Sequence, residues 1–360
     1  MAAVSAIREA GGIVEIEQSG LRWLLHWIGH EYEGTLDRVV RVDFTKLGGD
    51  DLNGPATTLV KAAAAAIPRS FAVDSVRHRQ AKSITDQHLE ILHPLDDLES
   101  LNLFGASVTD SGIAQLIGMR RLRALTLSGK QITDETLKHL KAIGSLEALG
   151  LQGAAITDEG LRHLVEMPNL KYLNLSHTDI TDEAMKHLRR MSQLEELVLR
   201  KTAITGENAL ALHSLQRLRR LDASRTKISN PGLSMVADIA SLEELDLSGS
   251  KVTSQGMDQL AGLIRLRRLN LSHLRISETG CAALTRLMEL EELQLSDTRV
   301  NDAGLRHLAS LPRLRHVSLF DSTSNYHLNV TSNGVAELRA RNPALTVSWN
   351  GPQKFSGYSR

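Results

Sequence analysis

The stretch "LNLSHTDITDEAMKHL", Leu173 to Leu188, carries two hydrophobic periods in sixteen residues. Around Leu173 and Leu175 apolar and polar residues alternate, which suits a short strand with one buried face. From Met185 through Leu188 to Met191 apolar residues recur every third position, which suits a short helix. Between them stands Thr181-Asp182, where the Thr suits a helix N-cap and the Asp complements the helix dipole. One strand and one helix of this size have too little partner surface to bury their own leucines.

The chain solves that problem by repetition. The same pattern returns every 24 residues, from units starting at Leu98, Leu122, Leu146, Leu170, Leu194, Leu218, Leu242, Leu266 and Leu290, with a tenth at Leu314. Thr-Asp recurs at Thr109-Asp110, Thr133-Asp134 and Thr157-Asp158. A small residue follows, as at Gly112, Gly160, Gly256 and Gly304, where neighbouring turns must approach closely. Stacked units give an α/β solenoid, with one parallel sheet of strands spaced about 4.8 Å apart on the concave side and helices on the convex side.

The motif "LKYLNLSHTDITDEAMKHL" resembles the leucine-rich repeat (LRR) family. It is most similar to bacterial 24-residue repeats in which Thr or Ser replaces the usual Asn after the strand, here Thr178, Thr202, Thr226, Ser250 and Thr298. The resemblance covers residues 39–347 and implies a leucine-rich-repeat solenoid forming a single curved domain that serves as a protein-binding scaffold.

The ends depart from the unit. Residues 1–38, with "LRWLLHWIG", read as an N-terminal cap over the end leucines, and 39–97 as two irregular repeats whose first strand is "VVRVDF", Val39 to Phe44. Residues 98–313 are the nine regular repeats. In 314–350 the expected I-T-D arrives six residues late, after an insertion near "TSNYHLN", and Trp349 closes the array. Residues 351–360 read as a mobile tail.

Charge is balanced, with 42 basic and 42 acidic residues, which argues against nucleic acid or an anionic membrane as the bulk partner. A single cysteine excludes an intramolecular disulfide and suits a reducing compartment. The N-terminal residues lack a basic segment followed by an apolar run, so no signal peptide is expected and the localisation is read as cytoplasmic.

At the second position of successive units the sign alternates without a break: Glu99, Arg123, Glu147, Lys171, Glu195, Arg219, Glu243, Arg267, Glu291, Arg315. Independent signs would do this about once in five hundred trials, so the pattern reads as avoidance of like charges on neighbouring strands. From Glu196 the third position joins, through Arg220, Glu244, Arg268 and Glu292. Charges that satisfy one another leave little field for a ligand.

Binding is therefore sought elsewhere on the strand face. His177, Arg200, Lys201 and Arg225 occupy the seventh and eighth positions of three consecutive units, with Tyr172 at the third position of the first. An aromatic beside an uncompensated basic spot suits an acidic segment of a partner protein. The insertion offers a second candidate edge with Phe320, Tyr326 and His327. His139, His163, His187 and His307 share one helical position and read as a solvated face with no second shell for a metal. Cys281 stands where the repeat places Leu and reads as core. No phosphate-binding Gly-rich loop, G-x-S-x-G or H-E-x-x-H is present, so a non-catalytic, cofactor-free binder is expected. The alternative is the substrate-recognition arm of an enzyme complex such as an F-box-like ubiquitin ligase, although residues 1–38 show no clear F-box.

Overall fold

The computed structural model describes residues 16–17, 38–39, 41–43, 85–89, 98–207, 212–321 and 329–350. They belong to two compact units, Met1–Asp179 and Ile180–Arg360. Most of the proposed N-terminal cap and of the two irregular repeats, Tyr326, His327 and the tail lie outside the described residues.

In the first unit β1 (Ile16–Glu17) pairs antiparallel with β2 (Arg38–Val39). A parallel sheet then runs in chain order through β3 (Arg41–Asp43), β4 (Ser100–Asn102), β5 (Ala124–Ser128), β6 (Ala148–Gln152) and β7 (Tyr172–Asn174). The second unit stacks β8 (Glu196–Val198), β9 (Arg220–Asp222), β10 (Glu244–Asp246), β11 (Arg268–Asn270), β12 (Glu292–Gln294), β13 (His316–Leu319) and β14 (Thr346–Trp349), all parallel. Register follows the repeat. Leu197, Leu221, Leu245, Leu269 and Leu293 stand side by side, each 1–2 % exposed or less. The leucines at the first and sixth positions are buried with them, as are Cys281 and the Ile or Val of the eleventh position.

The described return segments include short α-helices, as at Asp134–Leu140 and Asp302–Leu308, and 3-10 helices, as at Gly160–Glu166 and Ser254–Gly262. Their ends show why Thr-Asp is the recurrent pair. Thr133 caps its helix weakly, accepting from the Glu135 N–H at 3.3 Å, and Thr109 makes no side-chain cap bond. The strong bonds run between coils. Asp110 Oδ1 accepts from the Thr133 N–H at 2.9 Å and its Oδ2 from Thr133 Oγ1 at 2.7 Å. Asp86 holds Thr109, Asp134 holds Thr157 and Asp182 holds Thr205 in the same two-pronged way. The pair is thus a stitch more than a cap. It also explains the glycine two residues after the Asp. A Cβ on Gly160 would collide with Asp134 Oδ1, the carboxylate of the preceding coil.

The stitch survives the C-terminal insertion. Asp302 takes the N–H and Oγ1 of Thr331 at 2.8 and 2.6 Å, a bond that spans 29 residues where the regular one spans 23. Thr replaces Asn after the strand for a local reason. Thr178, Thr202, Thr226 and Thr298 are buried, and each Oγ1 donates to the carbonyl three residues back at 2.6–2.7 Å. That bond satisfies both a buried hydroxyl and a turn carbonyl.

Candidate functional site

The strand face is organised by its side-chain stations. At the second position Glu147 accepts from Arg123 at 2.8 Å and from Lys171 at 2.7 Å, and the Lys171 hydrogen bond, against a smaller opposing effect of burial, holds its carboxyl below the ordinary value. In the second unit Arg219–Glu243 and Arg267–Glu291 lie at 3.6 and 3.5 Å. The third position is tighter. Arg220 contacts Glu196 at 2.8 Å and Glu244 at 3.7 Å, and Arg268 contacts Glu244 at 2.6 Å and Glu292 at 3.3 Å. The Glu244 side chain is only 10 % exposed, so these third-position charges are partly withdrawn from water.

At the fifth position the strand ends in a local bond. The side-chain Oδ1 of Asn102, Asn174, Asp222, Asp246 and Asn270 accepts from the backbone N–H two residues on, at 2.8–3.1 Å. Two of these five are acids on neighbouring strands, Asp222 beside Asp246, and both are buried. Asn270 Nδ2 donates to Asp246 Oδ2 at 2.8 Å. Burial pushes Asp222 up to about 6, Asp246 adds to the rise, and hydrogen bonds from Ser224 and the charge of Arg200 oppose it. Burial likewise raises Asp246, against bonds from Ser248 and Asn270 and the charge of Arg200. Arg200 is therefore not an uncompensated cation, as the sequence reading had it. Two buried carboxylates lie within its field.

The eighth position is a turn with left-handed backbone in the nine coils starting at Leu98 to Leu290. Gly105, Gly129, Gly153 and Gly249 adopt it with φ of 65–97°. His177, Lys201, Arg225, His273 and Asp297 adopt it with φ of 54–61° although they carry a Cβ. His177, Lys201 and Arg225 are exposed. Tyr172 and His177 lie on β7 and its exit in the first unit, Tyr172 partly exposed. In the second unit Arg200, Lys201 and Arg225 come together at the exits of β8 and β9, where the Lys201 N–H donates to the Ser224 carbonyl at 3.0 Å. Phe320 is 44 % exposed four coils further along, its N–H on Ser296 Oγ at 3.1 Å, and does not join them.

The helical histidines are not uniformly solvated. His163 and His187 are each 8 % exposed, whereas His139 and His307 are half-exposed. Burial, then Arg162, Lys141 and Lys138, hold His163 below its ordinary value. Among the described residues no three His, Cys, Asp or Glu side chains come together as a metal site, and no helix is long and apolar enough to cross a membrane.

Sequence models of the leucine rich repeat match residues 168–228 and 239–261. An internalin (inlF) from Listeria monocytogenes is similar in structure, at 20% identity and TM-score 0.53 over 73% of this chain and 77% of that one. An internalin C2 (inlC2) from the same organism is 25% identical over 57% of this chain and 83% of that one, with a TM-score of 0.44. No curated protein matches the sequence. Repeat phase, Thr station, strand register and matched segments agree: the chain carries leucine-rich repeats.

Proposed function

We propose that this protein is a non-catalytic scaffold that binds a partner protein through its strand face. The observation that carries the reading is the eighth position. Glycine serves that left-handed turn in four coils, so the fold itself asks for nothing more. A residue with a Cβ costs roughly 1–2 kcal/mol there. Lys201 and Arg225 accept that cost and present exposed cations, which is the pattern of side chains kept for contact rather than for folding. Arg200 beside them, Tyr172 and His177 on the first unit, and Phe320 near the insertion complete the proposed contact residues. The partner offers an acidic segment to the basic ones. The alternating second- and third-position pairs serve register and leave the other stations to recognise the partner. A reducing, cytoplasmic setting suits the single buried thiol.

The test is partner binding by the full chain carrying Tyr172→Ala and, separately, Arg200→Glu with Lys201→Glu. Purification from the native cell beside wild type should lose the same protein in at least one variant. Retention of every partner by both would remove these residues from the interface.

A further inference from the structure

We propose a second contact surface, a row of four like charges on the rim where the chain leaves the strands, which docks the acidic face of a partner's helix. It rests on the reading above that the protein binds proteins, and it names a different surface. At the tenth position of four successive coils stand Lys227, Lys251, Arg275 and Arg299. All four are exposed. Backbone bonds place them side by side. The N–H groups of Lys227, Lys251 and Arg299 donate to the carbonyls of Ile204, Ile228 and Ile276 in the preceding coils at 2.8–2.9 Å, and Arg275 bridges to Thr253.

The same chain shows what it does with charge when charge serves the fold. At the second and third positions the sign flips at every coil and the partners meet. At the tenth it repeats four times. Among the described residues none of the four makes an ion pair. Two acids in the neighbouring turns are engaged elsewhere, Glu207 with Ser229 Oγ at 2.8 Å and Asp297 with His273 at 3.1 Å. Like charges on directly neighbouring strands are destabilising, and the earlier coils place no cation at the tenth position, which is Ser107, Gln131, Ala155, Asp179 and Ala203 there. The row is thus an addition to the repeat, not a demand of it.

The spacing selects the ligand. Coils stack about 4.8 Å apart, so the row spans roughly 14 Å in three steps. An α-helix brings an acidic side chain to one face every turn, about 5.4 Å, or roughly 16 Å in three steps. An extended strand repeats a face every two residues, near 6.7 Å, and overshoots the row by about 6 Å over the same count. Long Lys and Arg side chains absorb the smaller mismatch. Nucleic acid fits less well. Single strands are held by stacking on aromatic side chains, and the sequence has no Phe, Tyr or Trp between Tyr172 and Phe320.

The experiment uses the full chain and fluorescein-labelled alanine-based peptides. One carries Glu at i, i+4, i+7 and i+11 on a single helical face, the other the same residues spread around the helix. Fluorescence anisotropy at low salt should show the aligned peptide binding at least about fivefold tighter than the spread one, with binding weakening as salt rises. Lys227→Gln, Lys251→Gln, Arg275→Gln and Arg299→Gln together should weaken the aligned peptide about tenfold or more, with no fall in thermal midpoint. The Arg200→Glu, Lys201→Glu variant should keep the peptide, which separates failure of this surface from failure of the strand-face site. Absent binding at low salt, equal binding of the two peptides, indifference to the four substitutions, or tighter binding of a single-stranded oligonucleotide would overturn the proposal.

Discussion

Asp222 and Cys281 show how one residue can read the same in sequence and differ in chemistry. Asp222 occupies the station that Asn102, Asn174 and Asn270 fill, and it makes the same turn bond. Sequence alone lists it as one more small polar residue. Stacking buries it and sets Asp246 beside it, and its carboxyl rises to about 6. Because the folded value lies above the unfolded one, near 3.8, the native state gains stability as pH falls from above 6 toward 4. Asp222→Asn keeps the Oδ1 acceptor and removes the charge. It should stabilise the protein by about 1–3 kcal/mol at pH 7.5, with the difference from wild type gone by about pH 3.5. Urea titrations across that range measure it, and a pH-independent difference would refute the buried charge. Cys281 was legible as core from its Leu station. Burial pushes its thiol up to about 12, with Glu278 adding to the rise. Alkylation by iodoacetamide at pH 8 should proceed in the native protein only at the rate of opening, and speed up many-fold in denaturant.

At the scale of elements, the two periods give the strand of each regular coil and the helix of the described return segments, because local burial imposes both. They do not give the connection between coils. Thr181-Asp182 and its copies looked like a cap and a dipole charge because only nearby partners are visible in a sequence. The carboxylate's real partner is 23 residues on, at the next coil's Thr. Asp110 shows the energetics. Burial raises its carboxyl, but bonds from the Thr136 hydroxyl and from Thr133 more than offset this and hold it below the ordinary value. Its contribution is therefore complete above about pH 4 and is lost as pH falls through the lower folded value. Asp110→Ala should cost about 1–3 kcal/mol at pH 7, and the gap to wild type should narrow below pH 4. Chemical denaturation at pH 7 and pH 3 distinguishes this from a simple loss of helix capping, which would be smaller and would leave the Thr133 amide no more exposed to hydrogen exchange than before.

Across the molecule, the repeat makes a prediction that no single residue makes. Each coil contacts its neighbours, so an in-phase deletion preserves register. Removing one coil, 242–265, would set Arg219 beside Arg267 and Arg220 beside Arg268. Removing two, 242–289, would set Arg219 beside Glu291 and Arg220 beside Glu292. The larger deletion removes more core, yet it should be the more stable by about 1–2 kcal/mol at low ionic strength. Thermal unfolding of both variants with and without 0.5 M salt tests this (about one Debye length of 4–5 Å); a one-coil deletion at least as stable in both conditions would show that sign alternation is incidental. The sequence by itself determined the repeat length, the stacked parallel strands, the buried leucine stations and the sign alternation. Each of these is fixed by a periodic pattern that only one arrangement satisfies. Tertiary structure alone decided which acids are buried together, that Arg200 has compensating charge, that His163 and His187 lie out of solvent, and that Lys201 and Arg225 stand on left-handed turns. Those properties depend on depth and on neighbours a full coil away, and a one-dimensional pattern holds the spacing of residues but not their shared dielectric surroundings.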